Sequence, residues 1–94
     1  MIALKKSNLE KRDIPNKSGL YCLYDSKGKP IYTGHSHKLR HRLQSYVQDD
    51  DYKAHPTKRS LREEAKAFSY RLMPVAEARR LEKQKKNGLK HNHL

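Results

Sequence analysis

The chain has 94 residues, 22 Lys and Arg against 10 Asp and Glu, a net charge of +12, a single cysteine, no tryptophan and 34% hydrophobic residues. That length accommodates one small domain over residues 1–94 with a thin core, since a chain of this size buries about two thirds of its unfolded surface. Cys22 has no partner for an intramolecular disulfide, and neither a signal-like leader nor an apolar run of about 20 residues occurs; secreted, disulfide-stapled and membrane-spanning classes are excluded, and a cytoplasmic, membrane-free setting is expected.

A surface at +12 repels itself unless an anion is near, and nucleic acid is the polyanion whose phosphates Lys and Arg neutralise with release of counterions. The basic residues run along the whole chain, from Lys5 and Lys6 through Lys38, Arg40 and Arg42 to Arg79, Arg80 and Lys83, so the fold itself must build any basic face. A solvated basic surface of ribosomal-protein type would carry the same composition.

From the amino terminus, a polar lead-in ends in the turn-like Ile14-Pro15-Asn16-Lys17-Ser18-Gly19. Leu20-Tyr21-Cys22-Leu23-Tyr24 and Pro30-Ile31-Tyr32-Thr33-Gly34 flank the turn residues Asp25 to Lys29 and read as a β-hairpin, its first strand apolar enough for a sheet covered on both faces. Leu39, Leu43, Tyr46 and Val47 follow helical spacing, with Ser36 as the expected N-cap. Residues 48–58 read as loop, residues 59–65 as a short helix, and Phe68-Ser69-Tyr70-Arg71-Leu72 alternates as a half-buried strand does. Pro74 opens a last helix with Val75, Ala78 and Leu81 inward and Asn87-Gly88 as its stop signal. The expected architecture is α+β, a small three-stranded mixed sheet flanked by helices.

A hairpin loop symmetric about Lys27 and Gly28 sets Tyr24 opposite Ile31, Leu23 opposite Tyr32 and Tyr21 opposite Gly34, which brings two phenols to one face beside a glycine. Arg42 flanks the buried stripe of the first helix, and Glu82 follows Leu81 one turn beyond Ala78 in the last. Taken singly, these are two packed tyrosines and two solvated charges.

Their order and spacing carry more. Gly19-Leu20-Tyr21, Tyr32-Thr33-Gly34, then Ser36, Leu39 and Arg42, then Ala78-x-x-Leu81-Glu82 resemble the GIY-YIG nuclease family from Leu9 to Asn92, with Leu20 in place of the usual Ile and Thr33 in place of the usual Ile or Val. The segment from Ile14 to Tyr46 is also similar to the amino-terminal nuclease of the bacterial excision-repair incision subunit. The resemblance implies that Tyr21 and Tyr32 line the active centre, that Arg42 binds the scissile phosphate and that Glu82 holds one divalent cation, Mg²⁺ or Mn²⁺. One carboxylate can hold a cation that keeps most of its waters, and a guanidinium matches phosphate oxygens bidentately. A phenol whose pKa is lowered can take a proton from water; Tyr21 is the expected base and Tyr32 the positioning group, with the exchange of roles open. His35 stands where many members carry Lys and can share the base's work.

Ser36, Lys38, Arg40, Arg42 and His55 are the expected nucleic-acid contacts, and Asn92 loosely matches a late asparagine of the family. His91-Asn92-His93 reads as a polar tail and Asp49-Asp50-Asp51 as a solvated loop without EF-hand spacing. No Walker loop, CxxC pair or Ser/Cys nucleophile constellation is present. The implied activity is hydrolysis of DNA phosphodiesters to a 5′-phosphate and a 3′-hydroxyl in DNA repair. Branched, flapped, nicked or single-stranded DNA, or a protein partner, would supply selectivity. A non-catalytic nucleic-acid-binding module of the same fold is the alternative, and a basic ribonucleoprotein component a third reading.

Overall fold

The computed structural model describes residues 2–10, 14–47, 61–85 and 89. In chain order its elements are β1 (Ile2–Ala3), α1 (Lys6–Glu10), β2 (Gly19–Tyr24), β3 (Pro30–Ser36), α2 (Leu39–Ser45), a helical stretch over the described residues 61–64, β4 (Ala67–Leu72) and α3 (Val75–Lys85).

The strands form one sheet of four in the order β1-β4-β2-β3, and every pairing is antiparallel. This corrects the expected three-stranded mixed sheet on both counts. β1 pairs only Ile2 with Phe68 and Ala3 with Ala67, too short a run for any periodicity to mark it in the sequence. The long crossover between β3 and β4 can return the chain in either direction, so sequence alone does not choose between parallel and antiparallel pairing there.

The hairpin register matches the expected one at Tyr21 against Gly34 and Leu23 against Tyr32, then shifts, so that Tyr24 faces Pro30 and not Ile31. Asp25 explains the extra residue. Its backbone N–H donates to the Lys29 carbonyl at 2.9 Å and its carbonyl accepts from Gly28 N–H at 3.0 Å, while Gly28 takes φ 79°. These bonds define a three-residue loop, a type I turn followed by a left-handed glycine, where a symmetric two-residue loop was expected. The Asp25 carboxylate accepts the backbone N–H groups of Lys29 and Lys27, which hold its carboxyl below the usual value.

β2 lies between β3 and β4. One buried cluster joins Tyr21, Leu23, Tyr32 and Phe68 to Leu39 and Leu43 of α2, Leu9 of α1, and Leu61. By strand alternation Leu20 and Thr33 point to the opposite face; both are buried outside that cluster, as is Ala78 of α3, which packs on β2 and β3. The sheet is thus covered on both faces, as the apolar first strand implied.

The start of α2 is held differently from expectation. Lys38 occupies the N-cap position without a side-chain cap bond, and the Ser36 hydroxyl instead accepts the Lys38 N–H at 3.0 Å. The turn before β2 does the capping, with Asn16 Oδ1 accepting the His41 N–H at 3.1 Å and the Lys17 carbonyl the Leu39 N–H at 2.9 Å. In α3 the deepest residues are Ala78 and Glu82, four apart on one line, while Val75 and Leu81 are only half-buried. Asn87 and Gly88, expected to end this helix, lie outside the described residues. Among the described residues no helix is long and apolar enough to cross a membrane.

Gly19 leaves no room for a side chain: a Cβ would fall 2.3 Å from the Arg71 carbonyl oxygen and 2.7 Å from Leu39 Cδ1. Gly19→Ala is therefore expected to destabilise the fold by about 1–3 kcal/mol, lowering Tm by about 5 °C or more in thermal melts. An unchanged Tm would mean that β2, β4 and α2 are not wedged together at this point.

Candidate active site

Strand pairing places Tyr21 and Tyr32 on the same face of neighbouring strands, ring centroids 6.1 Å apart and tilted by 50°. Across from Tyr21 stands Gly34, where a Cβ would lie 2.5 Å from the Tyr21 hydroxyl oxygen and 2.6 Å from Cζ. Tyr21 therefore lies over the space a side chain at position 34 would occupy. Its hydroxyl reaches that of Tyr46, at the carboxyl-terminal end of α2, at 2.7 Å, with the two rings 6.0 Å apart.

A cavity of about 240 Å³ is lined by Tyr21, Tyr32, His35, Arg42, Tyr46, Leu61 and Glu82. β2 supplies one phenol and β3 supplies Tyr32 and His35; α2 brings Arg42, and α3 brings Glu82. All the residues expected to be catalytic line this one cavity. Tyr46 and Leu61 were not expected there. Tyr46 reads in the sequence as part of the helix's apolar stripe, but it follows Arg42 by four residues, and that spacing was the available signal. Of the expected nucleic-acid contacts, Ser36, Lys38 and Arg42 line an adjoining hollow that does not include Arg40. His55, Asn92, Asp49 to Asp51, His91 and His93 lie outside the described residues.

Glu82 is the buried carboxylate, 9% exposed, while Arg42 stands exposed to solvent. An ionised carboxylate is costly to bury without a partner, and the Nδ1–H of His35 donates to Glu82 Oε2. Among the described residues no group of three or more His, Cys, Asp or Glu could hold a metal. One carboxylate in a cavity with phenol hydroxyls suits a hard cation that keeps several of its own waters, as Mg²⁺ does.

Burial pushes the Tyr21 phenol well above its ordinary pKa, reinforced by Tyr46 and Tyr32; Arg42 pulls the other way and is outweighed. Burial likewise raises Tyr46 to about 12. A phenol raised in this way is held protonated, whereas the expected role of Tyr21 as general base asks for a pKa lowered by Arg42 and a bound cation. The two bonded phenols form one wall of the cavity.

A family model for the UvrC-like GIY-YIG domain matches residues 17–89. Over 58 residues the chain is 35% identical to UvrABC system protein C of Methanosphaera stadtmanae, a match covering 62% of this chain and 10% of that relative. The fold is similar to the GIY-YIG N-terminal endonuclease domain of UvrC from Thermotoga maritima bound to its catalytic divalent cation, magnesium, with a TM-score of 0.68, 28% identity, and coverage of 93% of this chain and 98% of that one. A point mutant of the same Thermotoga domain, one tyrosine replaced by phenylalanine and the catalytic cation still bound, matches with a TM-score of 0.68 and 27% identity over the same shares of the two chains. The matched segment is thus about a tenth of the curated relative's length, while the solved domain is covered almost entirely.

The raised phenols predict an alkaline limit to stability. A tyrosine whose folded pKa lies above its unfolded value of 10.0 contributes stability that is full below that value and is lost as the pH rises from there through about 12. Denaturant unfolding followed from pH 9 to 12 should show this loss, with a shallower slope in Tyr46→Phe, and ¹³C-tyrosine NMR should show Tyr21 and Tyr46 ionising late. Titration of both near pH 10 in the folded chain would contradict the buried pair.

Proposed function

The chain belongs to the UvrC-like GIY-YIG domain family, and from that premise we propose that it is a divalent-metal-dependent endonuclease acting on DNA. The observation that carries this reading is the convergence of Tyr32, Arg42 and Glu82, from three different elements, on one cavity. A binding module needs cations facing phosphate; it has no use for a buried carboxylate facing the same place.

Each side chain has a task in this reading. Arg42, exposed at the cavity, pairs its guanidinium with the oxygens of the scissile phosphate. Glu82 holds one Mg²⁺ or Mn²⁺, and His35 orients that carboxylate through its Nδ1–H. In the Thermotoga domain a Tyr-to-Phe variant retains its cation, which favours the carboxylate over a phenol as the cation's protein ligand here too. When bound, the cation supplies Lewis-acid stabilisation of charge on the phosphate and leaving oxygen.

Tyr32, once its own proton has passed to solvent, takes the proton from the attacking water; Tyr21, whose hydroxyl is bonded to Tyr46 and whose pKa is raised, is the less suited of the two. Tyr21 and Tyr46 hold the wall against which the phosphate is placed. Water attacks phosphorus, the bond to the 3′-oxygen breaks, that oxygen takes a proton from solvent, and the products are a 5′-phosphate and a 3′-hydroxyl. Selectivity comes from DNA shape, whether branched, flapped, nicked or single-stranded, or from a protein partner, in a DNA-repair setting.

The test is cleavage of labelled duplex, single-stranded, flap and four-way-junction DNAs with Mg²⁺, Mn²⁺ or EDTA. Wild type should cut at least one with either metal and none in EDTA, and Glu82→Gln should lose about a hundredfold or more in rate while still binding DNA. Binding without cutting under both metals would overturn the nuclease reading in favour of a non-catalytic module.

A further inference from the structure

Beside the cavity just described lies a larger hollow of about 470 Å³, and the two share a wall, because His35 and Arg42 line both. Its lining differs in kind. It presents the imidazoles of His35, His37 and His41, the Lys38 ammonium, the Arg42 guanidinium and two serine hydroxyls, with no carboxylate and no large apolar side chain. A lining of charged and imidazole groups is not built around an apolar ligand. It does not suit a cation either, since no group of three or more His, Cys, Asp or Glu among the described residues is arranged to hold a metal. The imidazoles of His37 and His41, the Lys38 ammonium and the Arg42 guanidinium can all donate hydrogen bonds, while the Ser36 and Ser45 hydroxyls already donate to the Lys38 and Arg42 carbonyls, so the chemistry selects an anion with several oxygens.

The backbone beneath these groups is held in place. The Lys38 N–H is bonded to Ser36 Oγ at 3.0 Å, the Leu39 N–H to the Lys17 carbonyl at 2.9 Å and the His41 N–H to Asn16 Oδ1 at 3.1 Å. The side chains at 37, 38 and 41 thus project from a segment tied to the turn before β2, and little ordering is needed when a ligand arrives. His37, Lys38 and His41 are themselves solvent-exposed and accessible.

We propose that this hollow is a second phosphate subsite, occupied by the phosphodiester next along the strand from the one placed at Arg42. The inference rests on the nuclease reading for what fills the first cavity. It adds His37 and His41 as substrate-positioning residues, which neither motif nor family match had singled out. The geometry behind it is the shared wall: two anions bound on either side of His35 and Arg42 are immediate neighbours, as consecutive phosphates of one strand are. Engaging two successive phosphates fixes the direction of the strand across the cavity and sets the scissile bond in register.

The test needs no cutting step. ¹³C- and ¹⁵N-histidine-labelled protein in EDTA is titrated with a single-stranded thymidine tetranucleotide, and with the same tetranucleotide carrying uncharged methylphosphonate linkages. The expected result is saturable movement of the His37 and His41 imidazole signals by the native probe only, at matched ionic strength. The His37→Ala/His41→Ala double variant should bind that probe about tenfold more weakly, the loss of hydrogen bonds to a charged group. Lys85→Ala removes a full positive charge from α3, away from this hollow, and should weaken binding less. An unmoved pair of imidazoles, a double variant that binds like wild type, or a Lys85→Ala loss as large as the double variant's would overturn the subsite. Histidine-dependent binding in a chain that never cuts DNA would refute the nuclease reading and leave this subsite standing; cutting by wild type with no effect of the double variant on binding refutes the subsite alone.

Discussion

The missing side chain at position 34 is the constraint on which the site depends. With a Cβ there only 2.5 Å from its hydroxyl oxygen, the Tyr21 ring could not lie across β3, and its hydroxyl could not meet Tyr46 at 2.7 Å. That contact ties β2 to the last turn of α2, one helical turn beyond Arg42. A strand glycine normally weakens a sheet, through lost packing and greater unfolded-state freedom. Here the vacancy is filled by the neighbouring strand's tyrosine, so a local weakness becomes the seat of the aromatic wall. Gly19 plays the corresponding part where β2, β4 and α2 meet.

The electrostatics follow from where the charges are placed. A chain at +12 has ample cation to gather a polyanion, but cations alone attract phosphate without discriminating among its bonds. The one buried carboxylate of the cavity makes the difference. Glu82 is buried, held by His35 and lines the same cavity as the exposed Arg42; on the proposed reading, positive charge from a hydrated cation and from a guanidinium would meet there on one phosphate. The raised pKa values of Tyr21 and Tyr46 fit the same division of labour, because phenols that stay neutral add no negative charge to a place meant for an anion.

Much of this was legible in the sequence, and the rest was hidden for identifiable reasons. Period-two alternation and the turn residues located the hairpin, and the pairings of Tyr21 with Gly34 and Leu23 with Tyr32 followed from counting. The same counting failed at Tyr24, because whether a loop takes two or three residues depends on the left-handed conformation of Gly28, which periodicity does not report. β1 and α1 are too short to leave a signature, and the direction of β4 is decided by packing after a long crossover. At the cavity, the spacing of Tyr21, Tyr32, Arg42 and Glu82 was readable as a family pattern. The role of Tyr46 was not, since an aromatic on the buried stripe of a helix looks the same whether it fills a core or bonds a phenol. Nor could spacing choose the base: what sets Tyr21 apart is its hydroxyl bond to Tyr46, and that contact belongs to the folded molecule.

The account turns on which phenol moves the proton. Its most direct test is single-turnover cleavage of the preferred DNA at saturating Mg²⁺ by Tyr32→Phe and Tyr21→Phe, each checked for folding and DNA affinity. The account predicts that Tyr32→Phe loses about a hundredfold or more in the cleavage step, the usual worth of a general base, and that Tyr21→Phe loses less because its ring still fills the space beside Gly34. Near-normal cleavage by Tyr32→Phe alongside an inactive Tyr21→Phe would contradict it.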